Sequence, residues 1–99
     1  MSGYLIGLDV GHTLIKAAIF DARGRSFGAG VRPVEVSRPY PHWQERDLAA
    51  TWRVAAAAIS DALADAGLPA TEVRAVGLAG HGDGMYLVDA QLRPVRPGI

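Results

Sequence analysis

One short segment near the start of the chain combines residue types that could act on phosphate. Asp9 ends an apolar run, and the segment reads Asp9-Val10-Gly11-His12-Thr13-Leu14-Ile15-Lys16. A carboxylate at the end of a buried strand is costly unless it has a partner. Gly11 lets the backbone approach a ligand closely, and Lys16 can neutralise phosphate charge. The segment therefore carries a carboxylate, a close-approach glycine and a cation within eight residues.

These residue types suit phosphoryl transfer, which depends on positioning and on charge stabilisation by Mg²⁺, N–H groups and cations. Asp9 can give an oxygen ligand to a hard cation, and Thr13 and the turn can hold phosphate oxygens. The alternative is an ordinary hairpin, because Asp-x-Gly is a common connection between strands. Asp9 would then satisfy N–H groups of the turn. The residues alone leave both interpretations open.

The elements that position this segment follow from hydrophobic spacing. We predict strands over 4–10 and 14–21 and a third, irregular strand over 26–36. Tight links between them make an antiparallel meander. Asp21 is interpreted as a turn residue that caps residues 22–24.

One long helix is predicted over 48–66. Asp47 is a suitable N-cap, apolar residues recur at helical spacing, and Gly67 is the expected stop. Trp52 lies on this apolar stripe, so we predict that it belongs to the core. The proline-containing segment 37–46 before the helix is predicted to be a loop.

The rest of the chain is predicted as strand 73–79, a glycine-rich turn at 80–84, a short strand 85–89 and an extended exit. A helical crossover favours a parallel partner for strand 73–79. The order β-β-β-α-β is mixed α/β. It differs from a Rossmann unit because the first strand leads into a hairpin.

Bulk properties exclude several classes of protein. The chain has 99 residues, of which 49% are hydrophobic and 20% charged, as expected for one small globular domain. A net charge of zero gives no basic field for nucleic acid or an acidic membrane surface. The chain has no cysteine, signal-like start or long apolar run, so we expect neither disulfides nor a membrane span. A cytoplasmic location is the expectation.

Three ordered motifs support a family resemblance. Residues 7–21 look like a D-x-G-T-T-x-x-(K/R) phosphate hairpin that ends in F-D, and residues 42–47 with Trp52 look like G-W-x-E-x-D…W. Residues 75–84 look like the strand and loop I-G-(I/V)-(S/T)-G-Q-x-x-G. In this order the motifs resemble the N-terminal domain of the FGGY carbohydrate kinases, relatives of actin and the heat-shock chaperone ATPases. The resemblance covers essentially the whole chain, so residues 1–99 would be one portion of that domain.

The resemblance implies a fold and an activity. The fold would be an incomplete α/β domain of the ribonuclease H-like (actin-like ATPase) type, with a mixed sheet. The activity would be phosphorylation of a sugar or polyol hydroxyl, of ketopentose or polyol type, with ATP and Mg²⁺. The implied phosphate and ATP contacts are Asp9, Gly11, His12, Thr13 and Lys16, with Asp9 also next to the metal. The implied sugar contacts are Trp43, Glu45, His81, Gly82 and Asp83.

The chain departs from the family pattern at several positions. His12 stands where the family often has Thr, and His81 stands where it usually has Gln. Xylulose-type kinases read G-Q-M-H-G in the loop, where this chain has Gly82 and Asp83. An aspartate can accept two hydroxyl hydrogen bonds, so the loop favours a polyol or a ketose unlike xylulose itself.

Several alternatives remain. Trp43 could pack against the helix, and Glu45 could be a solvated loop charge. The resemblance implies that the catalytic base and most of the adenine site belong to a C-terminal half, so we expect residues 1–99 alone to be inactive. The alternative function is an inactive remnant or binding module that self-associates, as a homodimer, through an exposed sheet edge.

Overall fold

The computed structural model describes residues 3–99 of the chain. Three strands come first: β1 is Tyr4–Val10, β2 is Leu14–Phe20 and β3 is Ser26–Pro33. The helix α1, Leu48–Ala66, follows, and a 3₁₀ turn at Ala70–Glu72 leads into β4, Val73–Gly80. This is the mixed α/β order that the hydrophobic spacing predicts.

The four strands form one sheet in the order β3-β2-β1-β4. The pairs β1–β2 and β2–β3 are antiparallel, whereas β4 runs parallel to β1, with Leu8 opposite Leu78. A parallel partner requires a crossover connection, and α1 provides it. Both the antiparallel meander and the parallel strand after the helix are therefore confirmed.

Two strand predictions need correction, and proline is the reason in each case. The third strand ends at Pro33 and not at Val36, because proline has no N–H to donate to a sheet ladder. The predicted strand 85–89 is wrong. It pairs only in part, through an isolated bridge between Val88 and Pro94 and two backbone hydrogen bonds between Met85 and Ile99, since the facing segment contains two prolines.

The ends of α1 lie where the sequence places them. The carboxylate of Asp47 accepts hydrogen bonds from the N–H groups of Ala49, at 2.9 Å, and Ala50, at 3.4 Å. Gly67 has a left-handed φ of 68°, and its N–H donates to the carbonyl of Ala64. Such a residue ends a helix, and glycine adopts this φ without steric cost.

The core lies between α1 and one face of the sheet, mainly over β2 and β3. The helix contributes only alanines to its fully buried face, and the sheet contributes larger side chains. The buried set is Ile6, Leu8, Ile15, Ala17, Ile19, Ala55, Ala58 and Ala62. Small side chains at the contact let the helix backbone come close to β3. A Cβ added at Gly28 would lie only 2.6 Å from the backbone nitrogen of Ala66.

The prediction that Trp52 belongs to this core is wrong, because its side chain is 70% exposed. The buried positions of the helix are 55, 58 and 62. At 3.6 residues per turn, Trp52 lies about 90° around the helix from the centre of that face. Trp52 recurs at helical spacing with the apolar residues of α1, but its side chain points toward solvent.

The strand β4 and the second face of the sheet are not covered by α1. Leu78 lies in line with Leu8 across the parallel pair, yet it is largely exposed. The second face carries Asp9 and Lys16. Across residues 3–99 no helix is both long enough and apolar enough to cross a membrane.

Candidate functional site

The β1–β2 hairpin holds the residues predicted to contact phosphate. Asp9 pairs with Lys16 across the two strands, so both side chains lie on the sheet face opposite α1. Both residues are exposed, and none of the ion pairs in the described part of the chain joins them. The two charges are therefore neighbours that remain open to a ligand.

The turn of this hairpin explains why residue 11 is a glycine. Its N–H donates to the carbonyl of Leu14 at 3.0 Å, which closes a two-residue loop of His12 and Thr13. A Cβ at Gly11 would lie 2.7 Å from the same carbonyl oxygen. The glycine is thus required by the turn itself, whether or not a ligand approaches. Thr13 is exposed at the tip.

A buried arginine connects the hairpin tip to two loops. Arg46 is 2% exposed, and its Nη2 donates to the carbonyl of His12 at 2.8 Å and also contacts the ring Nδ1 of His12. Its Nη1 donates to the hydroxyl of Tyr86 at 3.4 Å. That hydroxyl lies 3.0 Å from Nδ1 of His81. The rings of His12 and His81 are neighbours, with centroids 5.0 Å apart.

The chemistry of Arg46 sets the direction of these hydrogen bonds. A guanidinium only donates, so Nδ1 of His12 and the hydroxyl of Tyr86 both act as acceptors. Tyr86 can then donate its proton to Nδ1 of His81. The Tyr86 hydroxyl can equally accept a hydrogen bond from Nδ1 of His81, and Nε2 of each imidazole can form a hydrogen bond with a ligand.

Backbone bridges hold the loops of this cluster. Arg46 exchanges two hydrogen bonds with Gly98, at 2.9 and 2.7 Å, and Glu45 exchanges two with Ser37, each at 2.9 Å. Gly84, in the loop after β4, leaves room for its neighbours, because a Cβ there would lie 2.7 Å from Nδ1 of His81. Gly84 thus serves packing around His81, whereas Gly80 and Gly82 have open space where a Cβ would lie.

A cavity of about 440 Å³ opens beside the cluster. The residues that line it come from the hairpin tip, the loop before α1, the loop after β4 and the last few residues. They are His12, His42, Trp43, Gln44, Arg46, His81, Arg96 and Ile99.

The predicted sugar contacts divide into two groups with respect to this cavity. Trp43 and His81 line it, whereas Glu45, Gly82 and Asp83 do not. Gly82 and Asp83 are exposed on the loop after β4. His12, which the resemblance places among the phosphate contacts, is also part of the cavity wall. The hairpin tip therefore borders this cavity as well as the face that carries Asp9.

Glu45 and Trp43 each have a defined environment. The carboxylate of Glu45 pairs with Nη2 of Arg96, and the Glu45 side chain is only 16% exposed, so it is not a freely solvated charge. Arg96 also donates from Nε to the carbonyl of Pro97 at 2.9 Å. Trp43 is half-exposed and meets the ring of Tyr40 edge to face, with centroids 4.8 Å apart. Glu45 thus orients a guanidinium of the cavity wall.

Two buried side-chain atoms in residues 3–99 have no hydrogen-bond partner, namely Oε1 of Gln44 and Nε of Arg46. Both belong to side chains of the cavity wall. An unpaired buried polar atom costs about 1–3 kcal/mol, and native proteins contain few of them. These two atoms are enclosed by the protein, so the accessible part of the cavity wall is formed by other atoms of these side chains.

Sequence reasoning missed six residues of the cluster and cavity: His42, Gln44, Arg46, Tyr86, Arg96 and Ile99. The first three lie inside the segment 42–47 that the motif singled out, so their position was the available signal. Tyr86 and Arg96 act through contacts that span 40 residues, from Arg46 to Tyr86, and 51 residues, from Glu45 to Arg96. No local pattern reports contacts at that separation.

Asp9 is the residue that could serve a metal ion. In the described part of the chain no three His, Asp or Glu side chains cluster to form a metal site. Mg²⁺ commonly binds one or two carboxylates together with waters and substrate phosphates. An exposed carboxylate beside a lysine suits a Mg²⁺ ion that a nucleotide brings with it. It does not suit a Mg²⁺ site in which the protein supplies all the ligands.

Comparison with known proteins identifies carbohydrate kinases as relatives of this chain. Residues 4–99 match the model for the N-terminal domain of the FGGY family of carbohydrate kinases. The L-xylulose/3-keto-L-gulonate kinase of Escherichia coli (strain K12) is 33% identical over 99 residues, which is 100% of this chain and 20% of that protein. The xylulose kinase of the same strain is 36% identical over 94 residues, or 95% of this chain and 19% of that protein.

A solved structure shares the fold. The crystal structure of a protein from Brucella ovis described as a xyloylose kinase superposes with a TM-score of 0.86 at 34% identity, covering 95% of this chain and 20% of that one. The fold is thus the α/β, actin-like ATPase type that the resemblance implies. The chain spans about a fifth of the length of the curated relatives it matches. With a family match across residues 4–99, the chain belongs to the FGGY family of carbohydrate kinases.

Proposed function

We propose that the protein carrying this chain transfers a phosphoryl group from ATP to a hydroxyl of a sugar or polyol. The observation that carries the proposal is the position of the β1–β2 hairpin. One side of it exposes Asp9 beside Lys16, and its tip places His12 in the wall of the 440 Å³ cavity. A single short element thus adjoins both a phosphate face and a cavity for the acceptor.

On the phosphate side, the residues suit a nucleotide with its metal. Asp9 would hold the Mg²⁺ that accompanies ATP, directly or through water, and this ion would neutralise phosphate charge. Lys16 would stabilise negative charge on the phosphoryl oxygens, and the turn at Gly11 and Thr13 would offer N–H groups to them.

On the cavity side, the residues suit a polyhydroxylated ligand. The half-exposed ring of Trp43 offers an apolar surface, and the imidazoles of His12 and His81 offer ring nitrogens that can hydrogen-bond to hydroxyls. Gln44 adds a polar side chain to the same wall. Asp83, on the adjacent loop, would accept hydroxyl hydrogen bonds when a sugar extends past the cavity. The E. coli relative is named for a ketose and a keto sugar acid, which brings both classes into consideration here.

The alternative, an inactive module that self-associates through the sheet edge, is not favoured, since the relatives are kinases. The base that takes the hydroxyl proton is expected outside residues 1–99. The assay therefore uses the protein that carries the chain and not a shortened piece.

The test measures ADP release with ATP, Mg²⁺ and a panel of ketopentoses, polyols and sugar acids. Asp9→Asn should lower kcat about 100-fold or more, because it removes a preorganised charge, while the urea midpoint of unfolding stays unchanged. Asp21→Asn is the matched control, since Asp21 follows β2 and binds Arg25, and it should leave kcat unchanged.

A second variant tests the sugar side. Asp83→Ala should raise KM for the acceptor about ten-fold and leave KM for ATP unchanged. The proposal is wrong if no acceptor supports ADP release above background, or if Asp9→Asn retains full kcat. A loss confined to ATP binding in Asp83→Ala would remove Asp83 from the sugar side.

A further inference from the structure

We propose that His42 is a specificity-determining residue of the acceptor site, and that its imidazole hydrogen-bonds to a hydroxyl of the sugar or polyol in the 440 Å³ cavity. The inference rests on the proposed function and names a contact for its acceptor. The backbone conformation of His42 carries it, together with the place of this residue in the cavity wall.

His42 occupies a turn position that favours glycine. The N–H of Trp43 donates to the carbonyl of Tyr40 at 3.1 Å, which closes a turn over residues 40–43. Proline has a fixed negative φ, so Pro41 is followed by a change of sign, because the φ of His42 is 68°. A turn with negative φ at its second residue and positive φ at its third is of type II, and glycine or asparagine is preferred at that third position. The turn therefore requires the left-handed backbone of residue 42.

A histidine side chain at this position is sterically unfavourable. In the left-handed region Cβ lies too close to the following carbonyl oxygen, and histidine occurs there more often than most residues but less readily than glycine. Within residues 3–99 the imidazole of His42 forms no hydrogen bond, ion pair or ring contact that would compensate for this cost. Backbone strain of this kind is concentrated at functional sites.

Leu92 shows that the conformation alone does not mark a site. In the described part of the chain it is the other residue besides glycine with a positive φ, at 62°. Its N–H donates to the carbonyl of Asp89 at 2.9 Å, so it also belongs to a turn. Its side chain is 79% exposed and does not line the cavity. What distinguishes His42 is that its side chain is part of the cavity wall.

The imidazole of His42 is suited to bind a hydroxyl. It is exposed, and it lines the cavity together with His12 and His81. A neutral imidazole has one donor and one acceptor nitrogen, and a hydroxyl both donates and accepts. No hydrogen bond within residues 3–99 occupies either ring nitrogen of His42. A hydroxyl of the acceptor would therefore supply the partner that the described chain does not.

The turn also limits the freedom of this side chain. Pro41 fixes one φ of the turn, and the rings of Tyr40 and Trp43 meet edge to face with centroids 4.8 Å apart. Trp43 lines the same cavity, so one turn contributes an apolar ring and a polar ring to its wall. An ordered segment loses little conformational entropy on binding. The contact with His42 should therefore discriminate between acceptors by the position of their hydroxyls.

The experiment removes the imidazole and keeps the turn, in the protein that carries this chain. His42→Gly introduces the residue that the turn favours, so the urea midpoint of unfolding should not fall. Isothermal titration without ATP measures the affinity for D-xylulose, L-xylulose, xylitol and ribitol. For the probe that the wild type binds most tightly, the loss of one hydrogen bond should weaken binding about five-fold or more. The spread of affinities across the four probes should narrow, and KM for ATP should stay unchanged.

Two further variants separate the imidazole from the backbone. His42→Asn keeps a residue that accepts a positive φ and keeps a donor and an acceptor on a shorter side chain, so its affinity should lie between those of the wild type and His42→Gly. Leu92→Gly makes the same kind of change outside the cavity. It should leave the acceptor affinity unchanged and should not lower the urea midpoint. An equal loss of affinity in Leu92→Gly would overturn the inference.

The inference and the kinase proposal fail on different results. Unchanged acceptor affinity in His42→Gly, or no binding of any probe to the wild type, would overturn the role of His42, whereas ADP release would still support the kinase proposal. Weaker binding together with a lower urea midpoint in His42→Gly would assign the residue a structural role and overturn the inference. Loss of acceptor affinity in His42→Gly, in a protein that releases no ADP with any acceptor, would support the contact and contradict the kinase proposal.

Discussion

Arg46 donates a hydrogen bond of 2.8 Å to the carbonyl oxygen of His12, which lies 34 residues earlier in the chain. This contact joins the segment before α1 to the tip of the β1–β2 hairpin. Tyr86 adds the segment after β4 to the same guanidinium. Three segments therefore meet at one buried cation, and the β1–β2 hairpin and the cavity wall are joined there.

The Tyr86 hydroxyl is expected to stabilise this junction. Tyr86→Phe removes an acceptor from Arg46 and a partner from His81 but keeps the ring. Since the remaining buried groups lose hydrogen bonds, we expect the free energy of unfolding to fall by about 1–2 kcal/mol, measured by urea denaturation. Tyr40→Phe is the matched control, because Tyr40 is 61% exposed. Identical urea midpoints for the two variants would show that the junction adds no stability.

The approach of α1 to β3 makes a second prediction. A Cβ at Gly30 would lie 2.8 Å from Cβ of Asp61 and 3.0 Å from the nitrogen of Ala62, so Gly30→Ala must push the helix away. We expect a loss of about 1–3 kcal/mol in unfolding free energy. Gly77→Ala serves as the control, since its nearest atom, the Ile6 carbonyl oxygen, would be at 3.9 Å. If both variants unfold at the same urea concentration, the close packing is not as described.

Acid should weaken the contact between β3 and α1. Arg32 donates to Asp61 from Nε at 2.7 Å and from Nη2 at 3.0 Å, and these hydrogen bonds, followed by the charge of Arg32, lower the pKa of Asp61. A folded-state pKa below the unfolded value of about 3.9 means that the pair stabilises the fold above that pH. This stabilisation is lost as the pH falls through the folded-state pKa.

The measurement is urea unfolding of wild type and Asp61→Asn between pH 7 and pH 2. The wild type should be more stable at neutral pH, and the difference should shrink below about pH 4. Asp21, whose pKa is lowered chiefly by a hydrogen bond from the backbone N–H of Arg25, contributes in the same direction. The acid slope of the variant should therefore decrease without vanishing. A difference that persists undiminished at pH 2 would contradict the assignment.

Much of the fold could be predicted because its signals are local. Asp47 and Gly67 mark the ends of α1 through hydrogen bonds to residues two or three positions away. The β1–β2 hairpin follows from two short apolar runs and a glycine that closes its own turn at Leu14. Strand 85–89 was predicted by the same reasoning and failed, because the prolines that limit its pairing lie in the opposing segment.

The site was predicted less completely. The sequence by itself determined the hairpin, the order of the elements and the family, because these rest on contacts within a few residues and on ordered motifs. Only the tertiary structure decided that Trp52 faces solvent and that Arg46 is buried with no ion pair within residues 3–99. Burial and charge balance are sums over neighbours that lie 34 to 51 residues apart in the chain, and spacing along one element does not report them.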